Sequence, residues 1–250
     1  MNGALIDQSR YQIGKTLDCR DVDMLKRLRP AAFMEIAQEA AYLAAQEMGF
    51  GYSDLIATHK AWVLARMTIQ FEDLPLWRER LTLTTWHKGL AGPFHLRDFK
   101  MCDSEGRVRV KATSSWVILD TAARSLVRNS ELEGLVPENR ICREHVIETP
   151  AERVMMPRGA EPILAAKHTV VFSDTDFIGH TNNVRYAIWA MDCLPYEELM
   201  QMPVRSLSIN FNHETKAGEC VELWLFREAD SCYIEGKVED RQAFCAKITF

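Results

Sequence analysis

Residues 173–186 hold the densest set of reactive side chains in the sequence: Ser173-Asp174-Thr175-Asp176-Phe177-Ile178-Gly179-His180-Thr181-Asn182-Asn183-Val184-Arg185-Tyr186. Two carboxylates, an imidazole, a glycine and two amides stand just ahead of an apolar stretch. A free imidazole titrates near ~6.5, so His180 could act as a general base toward water at neutral pH. The same residues also suit the start of a helix. Thr181, Asn182 or Asn183 would cap the exposed backbone N–H groups, Asp174 and Asp176 would complement the helix dipole, and Gly179 would permit a tight turn. That reading accounts for the asparagines and the glycine but not for His180, which has no advantage as a cap. The two roles are compatible, because a helix N-terminus also stabilises a developing oxyanion, and both stay open. His213-Glu214, at the end of a strand in the same half, is a second candidate. Two solvated residues ahead of the Lys216-Ala217-Gly218 turn is the reading that the sequence by itself favours there.

The elements that must position these groups follow from periodicity. In the first half, Tyr11 to Leu17 is a short strand. Arg29 to Met48 reads as a helix, with Pro30 in its first turn and Gly49 at its stop. Phe33, Ile36, Ala37, Ala40 and Ala44 fall on one helical face. Strands are expected at Trp62–Phe71, Arg80–Lys88, His95–Cys102 and Arg107–Leu119. Their period-two alternation fits antiparallel strands with one covered face, and Ser104-Glu105-Gly106 reads as a hairpin turn. The second half repeats the order: a strand at His168–Phe172, a helix at Asn182–Leu194, then strands at Arg205–Asn212, Cys220–Glu228, Cys232–Glu239 and Ala243–Phe250.

The repeat extends to residues. Asp21-Val22-Asp23 precedes the first helix as Asp174-Thr175-Asp176 precedes the second. With those aspartates in register, Arg27 falls opposite His180, Pro30 opposite Asn183 and Phe33 opposite Tyr186. An internal duplication of an α+β unit is expected, each unit a central helix wrapped by a curved antiparallel sheet: a double hotdog. The expected domains are 1–140 and 167–250. Between them 141–166, rich in proline and poor in periodicity, reads as a crossing linker.

Composition bounds the rest. With 250 residues, 47% hydrophobic and 26% charged, the chain has a normal globular balance. A net charge of −5 argues against a general nucleic-acid binder. The apolar-looking stretch Ala31–Ala45 is broken by Glu35, Gln38 and Glu39 and falls short of a membrane span of ~20 residues. Met1 to Arg10 lacks the pattern of a secretory signal. Seven cysteines at irregular spacings, with no C-x-x-C pair, support neither a zinc nor a redox site. No metal or cofactor is expected, and free thiols fit a cytoplasmic protein.

Asp174 to Trp189 resembles the D-x-D-x-x-x-H-x-N-N-x-x-Y-x-x-W signature of acyl-ACP thioesterases, enzymes acting on acyl carrier protein (ACP). Trp62-Val63-Leu64-Ala65-Arg66-Met67, Leu74-Pro75-Leu76-Trp77 and Leu207 to Thr215 are similar to the same family. The resemblance implies hydrolysis of a fatty acyl-ACP thioester, ending fatty acid synthesis. Asp176 then corresponds to the catalytic aspartate, His180 to the catalytic histidine, and Glu214 to the acidic residue that shares a water with it. Gly179, Asn182 and Asn183 support the site. The N–H groups around Gly179 and the helix start would hold the oxyanion. Two departures stand out: the family's Asn two residues after the aspartate is Ile178 here, and the cysteine of some members is Thr215. By the same resemblance the first hotdog holds the acyl chain and the second is catalytic. The partner is ACP with its phosphopantetheine-linked acyl chain, with Arg185 a candidate contact; nucleic acid and membrane are not expected, and a homodimer stays open. An acyl-CoA thioesterase on this fold, or a non-catalytic acyl-binding hotdog protein, are the competing readings.

Overall fold

The computed structural model describes residues 3–132 and 134–250; Met1, where the expected first domain begins, lies outside the described residues. The chain falls into two compact units. One comprises the residues up to Ala65 together with Phe71–Ala151, the other Arg66–Gln70 together with Glu152–Phe250.

The first unit contains β1 (Gly3–Leu5), β2 (Arg10–Thr16), α1 (Pro30–Met48), α2 (Tyr52–Ile56), most of β3 (Lys60–Phe71), β4 (Arg80–Ala91), β5 (Phe94–Asp103), β6 (Val108–Asp120) and β7 (Ser125–Leu126). Pro30 opens α1 because its φ is already helical and its missing N–H would have no partner there. Gly49 closes it at φ 83°, a left-handed conformation that side chains resist, and its N–H turns back to the Ala45 and Gln46 carbonyls. The expected stripe of Phe33, Ile36, Ala37, Ala40 and Ala44 is buried, and so are Ala31, Ala32, Met34, Ala41 and Ala45. A helix apolar around most of its girth needs a sheet around it; α1 packs on β1, β2 and β4. The strands pair antiparallel in the order β1-β2-β4-β5-β6.

The second unit contains β8 (Ile163–Thr169), α3 (Asn183–Asp192), α4 (Tyr196–Gln201), β9 (Ser206–Phe211), β10 (Cys220–Glu228), β11 (Ser231–Val238) and β12 (Arg241–Thr249). They pair antiparallel in the order β9-β12-β11-β10-β8, and Arg66–Gln70 of β3 adds to the free side of β9. The inner stripe of α3, Val184, Tyr186, Ala187, Trp189 and Ala190, is buried against β11 and β12. Tyr186 meets Trp189 and Phe244, each with ring centroids 5.2 Å away. Gly236 makes room for Phe244: a Cβ on it would stand 2.1 Å from that ring.

Three expectations change. The strand set at His168–Phe172 runs instead from Ile163 to Thr169. It is the sheet's outer strand and almost wholly exposed, so no face imposes an alternation on Ala165, Ala166 and Lys167. The stretch at 141–166 is no free linker. Ile141 bridges to His87, Val146 N–H donates to Asp98 Oδ2 at 2.7 Å and Lys88 Nζ to the Ile147 carbonyl at 2.6 Å. Farther on, the Asn210 amide grips the backbone of Val154. Finally, β1, α2, β7 and α4 are too short to leave a periodic signature. No helix among the described residues is long and apolar enough to cross a membrane.

The duplication is visible bond by bond. Arg29 N–H donates to the Asp21 carbonyl at 3.0 Å as Asn182 N–H does to Asp174 at 2.9 Å, and Asp23 N–H reaches Arg27 as Asp176 N–H reaches His180, both at 2.8 Å. Val22 bridges Leu28 as Thr175 bridges Thr181. Lys26 and Gly179 hold the same loop position at φ 66° and 86°. The register drawn from the two aspartate pairs is therefore the register of the fold.

Candidate active site

The second copy of this loop carries the reactive groups. Asp176 shapes it: its Oδ1 accepts from the N–H of Ile178 at 2.9 Å and of His180 at 3.3 Å, while its carbonyl accepts from Gly179 at 3.0 Å. Gly179 sits at φ 86°, which favours a residue without Cβ. The carboxylate is thus a loop-former that sets the position of His180. Asp174 is buried and equally occupied, accepting from Val171 N–H at 2.9 Å and His168 Nε2 at 2.8 Å. Burial pushes its carboxyl up, but those hydrogen bonds and the nearby Arg185 outweigh it and hold the group below the usual carboxylate range.

His180 Nδ1 lies 3.2 Å from Glu214 Oε2, and both side chains are about one-third exposed, 32% and 36%. The neighbouring residues set that contact. Thr181 N–H donates to the Thr215 carbonyl at 2.9 Å, so the two residues that precede them face one another. Arg241 Nη1 donates to the Glu214 carbonyl at 2.9 Å and Lys216 Nζ lies 3.6 Å from its Oε1. With Nδ1 donating to the carboxylate, Nε2 is the ring nitrogen available as a base. His213 is exposed and turned to the Gln242 carbonyl, so the His213-Glu214 pair splits and Glu214 alone joins the site.

The two asparagines separate as well. Asn182 caps α3, its side chain accepting from Val184 N–H at 2.9 Å. Asn183, first residue of the helix, has no hydrogen-bond acceptor for its backbone N–H or its side-chain amide among the described residues. The N–H groups of Ile178, Gly179 and His180 are all taken up by Asp176 within the loop, whereas those of Asn183 are not. Arg185 donates from Nη2 to the Ser173 carbonyl at 2.6 Å and stands 3.8 Å from Asp174 Oδ1, which ties it to the loop. Phe172, Phe177 and Ile178 beside the loop are 91%, 79% and 55% exposed.

Two family models cover the chain: the acyl-ACP thioesterase N-terminal domain over residues 8–131 and the C-terminal domain over residues 161–243. This chain belongs to the acyl-ACP thioesterase family. Among curated members, oleoyl-ACP thioesterase 2, chloroplastic, of Arabidopsis thaliana is 26% identical over 210 residues, covering 75% of this chain and 54% of that one. The oleoyl-ACP thioesterase of Coriandrum sativum is 25% identical over 239 residues, covering 85% and 61%. The chain therefore spans little more than half the length of the curated relatives it matches. In solved structures, an acyl-ACP thioesterase of Bacteroides thetaiotaomicron superposes with a TM-score of 0.86 at 22% identity, covering 96% of this chain and 97% of that one. The 12:0-ACP thioesterase of Umbellularia californica gives 0.81 at 19%, covering 96% and 93%. These likenesses establish the fold of the family member as the α+β double hotdog.

The sequence reading missed the hydroxyls beside the site. Thr181 Oγ1 lies 2.6 Å from Thr215 Oγ1, and Tyr186 Oη lies 2.9 Å from that atom. Tyr186 was legible only as a core aromatic, and nothing in the spacing links it to Thr215.

Proposed function

We propose that this chain hydrolyses the thioester of fatty acyl-ACP, releasing fatty acid and ending chain growth. The observation that carries the reading is the 3.2 Å contact of His180 with Glu214 beside the start of α3, in a chain whose halves match both domains of the family. A thioester carbonyl is already electrophilic, so the site must activate water and stabilise charge. His180 Nε2 takes a proton from water as its oxygen bonds to the carbonyl carbon. Glu214 holds Nδ1–H and stabilises the imidazolium. The oxyanion is held by Asn183, whose amide supplies what Ile178 lacks; losing one such donor typically costs ~10²–10³ in rate. Collapse re-forms the carbonyl, breaks the carbon–sulfur bond and returns the proton from His180 to the phosphopantetheine sulfur. Asp176 acts through the loop. The first hotdog holds the acyl chain along its alanine-rich helix, and the second is catalytic. A cytoplasmic setting belongs to this reading, in keeping with seven free cysteines.

The test is fatty acid release by the purified chain from a panel of acyl-ACPs and acyl-CoAs of equal chain length. Hydrolysis with higher kcat/KM on the ACP series, abolished by His180→Ala and by Asp176→Ala in folded protein, is expected. Near-normal turnover by His180→Ala, or no release from any thioester, refutes the reading. A reversed carrier preference would make it an acyl-CoA thioesterase.

A further inference from the structure

The hydroxyls behind the His180–Glu214 pair form a closed circuit. Thr215 N–H donates to Tyr186 Oη at 3.0 Å. That oxygen, having accepted, donates its own proton to Thr215 Oγ1 at 2.9 Å. Thr215 Oγ1 then donates to Thr181 Oγ1 at 2.6 Å, and Thr181 Oγ1 returns to the Thr215 carbonyl at 3.1 Å. In this arrangement every hydroxyl proton has an acceptor. Thr215 is fully buried, and Thr181 and Tyr186 are 5% and 2% exposed. The circuit therefore touches no substrate.

The first unit supplies an internal control. Leu28 occupies the position of Thr181, and its N–H donates to the Pro75 carbonyl at 2.8 Å as Thr181 N–H donates to Thr215. Phe33 stands where Tyr186 does. The same loop thus closes on the same backbone bond with Leu, Pro and Phe, none of which bears a hydroxyl. The fold of the loop does not need the circuit. It occurs in the copy that carries His180 and Glu214 one residue ahead of its two threonines.

We infer that Thr215, Thr181 and Tyr186 are positioning residues that fix the distance and angle between Glu214 and the His180 ring. The inference rests on the hydrolase reading. A backbone bond alone lets each side chain swing about its own residue; a second tie through Oγ1 locks both residues at once. Misplacement of reacting groups by about 1 Å costs on the order of 100-fold in rate.

The test compares Thr215→Val, Thr215→Ser and Tyr186→Phe with the unmodified chain, each alone and combined with Glu214→Gln, on one acyl-ACP. Expected are a 10- to 100-fold fall in kcat for Thr215→Val and Tyr186→Phe with KM within twofold, and recovery in Thr215→Ser. In the Glu214→Gln background Thr215→Val should cost less than threefold, because the carboxylate charge whose placement it serves is already gone. Tyr186→Phe removes one tie of the circuit while leaving the Thr215 oxygen in place, and stands in if Thr215→Val fails to fold. Unchanged kcat, a loss confined to KM, or full additivity with Glu214→Gln overturns the positioning role while hydrolysis stands. If the unmodified chain releases no acid, or His180→Ala keeps its rate, the hydrolase reading fails and takes the positioning role with it.

Discussion

Acidification should destabilise the first unit through one buried imidazole. His95 is 5% exposed, with its ring edge-on to Trp62 at 4.8 Å. Gly89 N–H donates to His87 Nδ1, so His87 Nε2–H donates to His95 Nδ1 at 3.2 Å. Burial pushes the His95 pKa down to about 4 from 6.5. A base with a depressed folded pKa stays neutral when folded, while the unfolded chain takes up a proton below ~6.5. The unfolded state then binds more protons, and stability falls as pH drops through 6.5, levelling off near 4. At 1.36 kcal/mol per pH unit the full loss is about 3 kcal/mol, of which about 2 kcal/mol is reached at pH 5. His87 is pushed the same way by burial, by the Arg97 charge and by His95. His95→Asn keeps an acceptor for His87 and removes the titration. Urea unfolding at pH 7.5, 6.0 and 5.0, followed by tryptophan fluorescence, should show His95→Asn losing about 2 kcal/mol less than the unmodified chain between the extremes. Equal losses in both proteins would mean that His95 is not held neutral by its burial.

Asp176→Asn keeps an oxygen acceptor for the N–H groups of Ile178 and His180, so it should retain activity within about tenfold where Asp176→Ala loses at least about 100-fold; similar losses in both, by fatty acid release, would show that the charge matters rather than the hydrogen bonds. Gly236→Ala drives a Cβ to 2.1 Å from the Phe244 ring and should cost about 1–3 kcal/mol in urea unfolding. Lys88 and Asp98 pair at 2.9 Å with both side chains fully buried. Lys88→Met strands the carboxylate and should cost about 3–5 kcal/mol, with amide exchange rising first at Val146, whose N–H the Asp98 carboxylate accepts beside the Ile147 carbonyl that Lys88 holds; unchanged protection there would separate the pair from that segment.

Much of this molecule was legible because burial writes a period into sequence. The α1 face and strands β4 to β6 read correctly since each has a covered side. Strand β8 was expected to begin five residues too late because its residues face solvent on both sides, and hydrogen bonding to β10 leaves no mark on side-chain choice. The loop at 174–180 was legible as chemistry or as a cap; Asn182 just beyond it caps α3, and His180 within it meets Glu214. That partner could not be picked by spacing, since the residues that join the two segments lie 34 positions apart; resemblance supplied it. Asp176 was legible as acidic, not as the acceptor that bends its own loop. Thr215 read as a missing cysteine, because a hydroxyl's worth depends on Thr181 and Tyr186 being within reach.

Strand β3 is divided between the two units, Arg66–Gln70 going with β9 while the stretches on either side stay with the first. The late-synthesised half therefore cannot complete its sheet from its own residues: it waits for five contributed long before. A gene fragment beginning near Glu152 would leave the backbone of β9 bare along one edge, an invitation to stick to other copies. Shuffling this half between relatives should succeed only when the short strip at 66–70 travels with it.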